Sequence, residues 1–373
     1  MATTTPNYGW SVPTSSDLVK NGATAIETLG DSVDDSLWNS GFGQAGKNKI
    51  INGDFRINQR SFTSTTTSAT YGFDRWRCTL SGGTVTYSAQ TFTAGAAPVA
   101  GYEAINYARL VTTSQSASSD RAVLNQLIED VRTLSSSTVT VSFWAQAGSG
   151  TPKVNVVLNQ NFGTGGSSSV NAPTPTAQTI TTAWARYSFT IANPSVSGKT
   201  ITADSRLNVQ IYVSDGGDQA TGVGAQNNTF NIWGVQLEYG SKATPFQLAG
   251  GGSPQAELAM CQRYYYRLTS DSTGDRLGWG GCNGTTDASV LTQFPVQMRI
   301  SPTALEQSGT AGDYSVAETG GSVVTCSAVP TFQSSTVASA SSILTVTAGL
   351  IGTRVAFARA TNATAYLGWS AEL

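Results

Sequence analysis

Two stretches decide the fold: Lys49-Ile50-Ile51-Asn52-Gly53-Asp54-Phe55-Arg56-Ile57-Asn58-Gln59-Arg60 and, far downstream, Asn231-Ile232-Trp233-Gly234-Val235-Gln236-Leu237-Glu238-Tyr239-Gly240. Each sets β-branched and aromatic residues beside an internal Gly, the pattern of a strand with a bulge or a close backbone approach. They are expected to open and close one β-sandwich, residues 49–248. Residues 1–48 then read as an attachment arm and residues 249–373 as a separate, smaller β-rich tip.

Between the two stretches, apolar residues recur every second position. Val85, Tyr87 and Ala89 form one such set, and Val139, Val141, Phe143 and Ala145 another. Val154, Val156 and Leu158 continue the pattern, followed by Ala185, Tyr187 and Phe189, then by Leu207, Val209, Ile211 and Val213. Each run offers one face to a shared core and is bounded by Gly, Ser, Asn or Pro, which predicts an antiparallel all-β module. The segment from Ala122 to Leu134 fits a helical stripe through Val123, Leu127, Val131 and Leu134 as well as it fits a strand.

Composition narrows the function. A length of 373 residues accommodates two or three domains. Charged residues make up 12% of the chain, about half the usual share, so hydroxyls and amides must wet the surface. That suits exterior β-structure and fibres. A net charge of −2 offers no basic field for nucleic acid. The chain has no His, which removes the usual general base, the imidazole metal ligand and the Ser-His or Cys-His nucleophile pair. No enzyme of that design is expected. Cys78, Cys261, Cys282 and Cys326 never approach a Cys-x-x-Cys spacing, so they are expected as free buried thiols rather than a zinc or redox site. A Cys282–Cys326 disulfide would require their strands to meet. No secretion signal and no apolar run of membrane length is read in the sequence.

In the arm, Pro6 and Pro13 flank Tyr8, Gly9 and Trp10, which predicts an extended, irregular segment. Two aromatics in so polar a peptide suit docking onto another protein, making Tyr8 and Trp10 the candidate anchoring residues. A helix is expected from Ser16, with Ser15 or Ser16 as N-cap. Val19, Ile26, Leu29, Val33 and Leu37 form its apolar stripe, with Gly22 in the remaining position. One stripe on one short helix needs a partner, either other copies of the chain or its own sandwich. Beyond the sandwich, Gly250-Gly251-Gly252-Ser253-Pro254 reads as a hinge leading into a short helical segment, Gln255 to Arg263. Strands of the tip are expected at 289–300, 322–328, 342–347, 350–360 and 363–369.

Polysaccharide cleavage would need two converging carboxylates. Glu129 and Asp130 are adjacent and would point to opposite faces of a strand. Asp215-Gly216-Gly217-Asp218 reads as a turn, and Glu103 or Glu238 would have to serve as partners from elsewhere in the chain. No catalytic residue is assigned. Asp54 with Glu238 is the pairing that would suit a structural calcium, but no ligand spacing supports it and no metal or cofactor is assigned. Glycan binding asks for an aromatic face and amides. Trp144, Asn155, Asn159, Asn208, Gln210 and Tyr212 lie opposite the apolar faces and would form one amide-rich surface if their strands are neighbours. The alternative is that Trp144 is core and the amides merely solvate a sheet. Tyr264, Tyr265, Tyr266, Trp279 and Trp369 are the corresponding aromatics of the tip.

Several motifs carry a resemblance. Ile50-Ile51-Asn52-Gly53-Asp54-Phe55, Tyr71-Gly72-Phe73-Asp74-Arg75-Trp76, Gly234 to Gly240 and Ala243-Thr244-Pro245-Phe246 resemble the sandwich module of bacteriophage tail-fibre and receptor-binding proteins, itself similar to carbohydrate-binding jelly rolls. Glu257 to Tyr265, Phe294 to Thr303 and Tyr366 to Leu373 resemble their distal parts, and Thr5 to Trp10 with Asp17 to Ala23 resembles a virion-anchoring start. The resemblance implies a strand pair around 122–134. It also implies a homotrimer, anchored to other virion proteins through the arm, made in the host cytoplasm and carried on the particle. Its implied task is to bind a host-surface glycan or receptor without altering it, with no membrane insertion. A structural head fibre or capsid decoration protein is the alternative, and a glycan depolymerase a further one.

Overall fold

The structure is a computed structural model. It describes residues 3–5, 10–14, 18, 21–39, 46–99, 102–321 and 323–373, with the backbone alone at Thr3 and at 35–39. Tyr8, Val19 and the N-cap positions Ser15 and Ser16 lie outside the described residues, as does the side chain of Leu37.

The described residues at the start of the arm form a short ladder instead of an irregular segment. Strands β1 (Thr3–Thr4) and β2 (Ser11–Val12) pair antiparallel. The Thr5 N–H donates to the Trp10 carbonyl, and the Trp10 N–H donates back to the Thr5 hydroxyl at 3.0 Å. Helix α1 (Gly22–Asn39) begins later than expected. Of the anticipated stripe, Ile26 is exposed, and Leu29 and Val33 are half-buried.

The sandwich contains β3 (Ser64–Thr65), β4 (Trp76–Ser81), β5 (Thr84–Thr91), β6 (Asn106–Thr113), β7 (Arg121–Glu129), β8 (Ser137–Ala147), β9 (Lys153–Asn161), β10 (Val170–Pro173), β11 (Gln178–Thr179), β12 (Ala185–Asn193), β13 (Arg206–Asp215) and β14 (Thr229–Tyr239). One sheet has the order β10-β9-β13-β7-β4, with β11 also on β9; the other runs β12-β8-β14-β6-β5-β3. From β7 onward the long strands β7, β8, β9, β12, β13 and β14 alternate between the two sheets, the winding of a jelly roll. The alternating residues meet as expected: Leu124, Val156 and Val209 from one sheet face Val141, Phe143 and Ile232 from the other in one core. The ambiguous 122–134 segment is strand β7 followed by turns.

The opening stretch corrects the expectation. Lys49 to Arg60 is not a strand but a buried, turn-rich segment laid against β14. The Lys49 N–H donates to the Leu237 carbonyl and the Val235 N–H to the Gly53 carbonyl. Its apolar anchors Ile50 and Phe55 are five residues apart, a spacing no strand face provides. Asn52, at φ +58°, folds the segment around itself: its amide bonds both the N–H and the carbonyl of Ile57. A Cβ on Gly53 would lie 2.1 Å from the Val235 oxygen, so only glycine permits the approach. The second stretch is β14, an interior strand between β8 and β6, with the anticipated bulge at Gly234 (φ +66°), where register slips between Trp233 and Gln236.

The tip opens with α2 (Pro254–Gln262), whose first turn is capped by the Ser253 side chain accepting from the Ala256 N–H. Strands β15 (Tyr265–Thr269), β16 (Arg276–Cys282), β17 (Asp287–Gln293), β18 (Glu306–Gln307), β19 (Tyr314–Glu318), β20 (Val323–Thr325), β21 (Thr331–Ser335), β22 (Ser339–Thr345), β23 (Val355–Ala360) and β24 (Tyr366–Ser370) follow. They form a small β15-β24-β18 sheet and a larger one ordered β20-β19-β23-β16-β17-β22-β21. Leu277, Val290, Tyr314, Leu344 and Trp369 belong to a second core. Strands β15, β16, β18, β19 and β21 fall outside the expected ranges. Glycines in β16 and hydroxyl residues in β21 interrupt the apolar alternation on which such a reading depends.

The Gly-rich segment expected to hinge is held at both ends. Buried Glu257 accepts from the backbone N–H groups of Asn52 and Gly250. Arg75, also buried, pairs with Glu372, donates to the Leu127 carbonyl and lies 3.5 Å from the Tyr264 ring centre. Arg60 sits equally close over Tyr265, and the Arg263 guanidinium grips Glu129 through both carboxylate oxygens. The motifs at 50–55, 73–76, 257–265 and 370–373 thus meet at one junction between the two cores. All four cysteines are buried and free. Burial pushes the Cys326 thiol up to about 12 and Cys282 up to about 11.

Candidate ligand-binding site

The six residues predicted to share a glycan-binding face do not. Trp144 lies on β8, in the sheet opposite β9 and β13, where it packs against Trp233 and carries the Arg186 guanidinium 4.6 Å from its ring centre. Asn155 and Tyr212 are neighbours in register, but loops cover them. The Asn155 amide is buried and donates to the carbonyls of Thr174 and Thr221. Tyr212 packs with Val157, Ala220 and Val223, and burial, reinforced by the Asp215 charge, pushes its phenol up to about 12. What remains on that sheet is a ladder in which the Asn208 amide donates to Asn159 and the Asn159 amide to Asn171, with half-buried Gln210 beside it. This is an amide row without an aromatic platform.

The carboxylates considered for chemistry each have structural work. Glu129 holds Arg263 and accepts from the Tyr264 hydroxyl, and Asp130 pairs with Arg132. Asp215 is buried, paired with Arg121 and bonded to the Ala220 N–H; Asp218 accepts from the Gly222 N–H in the same turn. Asp54 is bonded to Arg56 and Tyr102, whereas Glu238 is bonded to Thr244 and Gln236. These two acids, paired as a possible calcium site in the sequence, belong to separate networks.

The tip presents a different surface. Its larger sheet buries Ala288, Val290, Ala356 and Ala358 inward. By alternation β17 and β23 turn Leu291 and Phe357 outward, and Trp279 on β16 lies in register between them. Trp279 is 56% exposed. Its neighbours Gly278, Gly280 and Gly281 bear no side chains, so the indole stands clear of its own strand. Between Arg276 and Gly278 the register with β23 slips, a bulge that brings Arg276 onto the outer face, its guanidinium 4.0 Å from the Phe357 ring centre. Tyr266 and Leu268 from the small sheet form one wall. The result is an open groove of about 370 Å³ whose lining includes Tyr266, Arg276, Trp279, Leu291, Gln293 and Phe357. Among the described residues the Gln293 side-chain amide has no hydrogen-bond partner.

Of the five tip aromatics singled out in the sequence, Tyr264, Tyr265 and Trp369 are buried, and Tyr266 and Trp279 line this groove. Arg276, Gln293 and Phe357 were missed. The local signal was Gly278-Trp279-Gly280-Gly281: a large aromatic among glycines has no neighbouring side chains to cover it.

No protein-family model matches the chain, and no curated protein matches it. Among solved structures, the CBM22-1 xylan-binding domain of Paenibacillus barcinonensis Xyn10C aligns at 13% identity and TM-score 0.31, over 53% of this chain and 99% of that one. A CBM4 structure aligns at 17% identity and TM-score 0.30, over 51% and 99%. The enzymatically active domain of bacteriophage CBA120 tailspike protein 4 aligns at 13% identity and TM-score 0.31, over 52% of this chain but 21% of the tailspike. At these TM-scores the likenesses carry no argument about ligand or activity.

Proposed function

We propose that the chain is a virion fibre subunit that attaches a particle to a host-surface glycan without cleaving it, and that the tip groove makes the contact. The observation that carries this reading is the exposed Trp279 indole set on a sheet beside Arg276 and Gln293. A pyranose presents an apolar C–H face ringed by hydroxyls; the indole stacks on the first, and guanidinium and amide groups bond the second. The platform is preformed, so little ordering entropy opposes binding. The exposed Ile26 and half-buried Leu29 and Val33 of α1 support assembly of several copies, and several weak grooves on one fibre would raise avidity. The arm, with Trp10, would join the fibre to the particle.

The test is affinity electrophoresis of the full chain and Trp279→Ala through gels containing surface polysaccharides of candidate hosts, with reducing ends assayed in parallel. Retardation of the parent, lost in Trp279→Ala at unchanged melting temperature and without release of reducing ends, is the expected result. Equal retardation of the two proteins would remove the groove from the reading, and release of reducing ends would replace attachment by cleavage.

A further inference from the structure

We infer that the tip groove selects acidic saccharides, with Trp279 as the ring platform and Arg276, seconded by Arg359, as the contact for a sugar carboxylate; this rests on the glycan-binding reading above. Arg276 on β16 and Arg359 on β23 stand directly opposite each other. Both lie on the outer face that carries Trp279 and Phe357. Like charges directly across a strand pair are unfavourable unless something of opposite sign joins them. The usual partners are missing. Elsewhere in the chain Arg56, Arg75 and Arg263 are held by carboxylates, and Arg109, Arg267 and Arg299 by carbonyls, amides or hydroxyls. Among the described residues the guanidiniums of Arg276 and Arg359 have neither.

The nearest acid in sequence, Asp275, is turned to its own loop. It accepts from the backbone N–H groups of Asp271 and Ser272 and from the hydroxyls of Ser270 and Ser272. Those bonds hold its carboxyl well below the ordinary range, so it stays charged yet engaged. Arg276 is in turn pre-positioned. Phe357 covers one face of its guanidinium, leaving the N–H edge to meet an acceptor, and a planar fork matches a carboxylate bidentately. In a chain of net charge −2, Arg276 in the groove lining, with Arg359 opposite it on β23, stands beside Trp279, the most exposed tryptophan among the described residues, and gives the groove a sign opposite to that of the molecule. A uronic acid, with an apolar ring face and one carboxylate, fits both features at once. The competing occupant is a second copy of this chain, because Leu291 and Phe357 add apolar area to the same face.

The test uses the full-length chain with polygalacturonate, alginate and hyaluronan, each paired with its carboxyl-reduced form, in affinity electrophoresis at low salt and at high salt. Variants are Arg276→Gln, Arg359→Gln and Trp279→Ala, and light scattering reports their oligomeric state. At least one acidic polymer is expected to bind about tenfold or more tighter than its reduced form, as one charge-assisted hydrogen bond implies. Arg276→Gln should abolish that preference while keeping the weak binding shared with the reduced polymer, and Trp279→Ala should lose both. Equal binding of every acidic polymer and its reduced form overturns the acid selectivity but leaves the glycan reading standing. No binding to any of the six overturns the acid selectivity, whereas the glycan reading falls only if the host polysaccharides tested above also fail to retard the parent. A change of subunit number in Trp279→Ala or Arg276→Gln assigns the groove to an interface between copies and overturns the inference.

Discussion

Replacing Arg75 by Met tests the junction between the two cores. Arg75 has a φ of +71°, and Met keeps the Cβ, so the backbone demand is unchanged and only the guanidinium is lost. Its side chain is 1% exposed and that of its partner Glu372 4%, so the substitution strands a carboxylate away from water. Removing one partner of a buried pair costs about 3–5 kcal/mol. Arg60 lies 3.6 Å from the same carboxylate and retains part of the compensation, which places the ionic loss near the lower end. The Leu127 carbonyl loses its donor, adding about 1 kcal/mol. The total is about 4 kcal/mol, or a fall in melting temperature of about 8–16 °C for a unit of this size. Converting both residues, Arg75→Met with Glu372→Met, removes the stranded charge and should recover about 2–3 kcal/mol. Urea unfolding followed by tryptophan fluorescence, on the parent, both singles and the double variant, measures the coupling. A loss below about 1 kcal/mol in Arg75→Met, or a double variant no more stable than that single, would refute the reasoning. Residues 370–373 would then leave the junction for water instead of remaining buried.

Three further outcomes are expected. Gly53→Ala, whose Cβ would meet the Val235 oxygen at 2.1 Å, should yield insoluble protein, whereas Gly284→Ala, with nothing within 4 Å, should express and melt like the parent. In native buffer a thiol reagent should label none of the four cysteines, and in denaturant all four, because each is buried and burial raises its thiol pKa. Asp275 has a folded-state pKa below its ordinary 3.8, so its contribution is present above that value and lost as pH falls through the folded one. The melting-temperature advantage of the parent over Asp275→Asn should therefore be flat from neutral pH down to about 5 and shrink progressively below 4. An advantage that grows on acidification would contradict that sign.

Period-two apolar runs reveal β5, β8, β9, β12 and β13 of the sandwich, because burial of one sheet face is a local constraint that leaves a local pattern. The tip was less legible. Strand β16, which supplies Trp279, is interrupted by glycines that destroy the alternation, and β19 places both Tyr314 and Ser315 in buried positions. The motifs that stood out most, Ile50 to Phe55, Tyr71 to Trp76 and Tyr366 to Leu373, form a junction rather than a ligand site. They stand out because a buried arginine, buried carboxylates and tight backbone approaches tolerate few residue types.

The sequence by itself determined the β-class, the alternating core faces and the bulge at Gly234. Each of these follows from composition or from neighbours along the chain. Only the tertiary structure decided which strands lie side by side. It placed Trp144 in the opposite sheet from Asn159 and Asn208, closed loops over Asn155 and Tyr212, and brought Phe357 of β23 beside Arg276 and Trp279 of β16. Strand order and loop cover depend on contacts between distant segments, and a local pattern of apolar residues carries no information about which distant strand will be the neighbour.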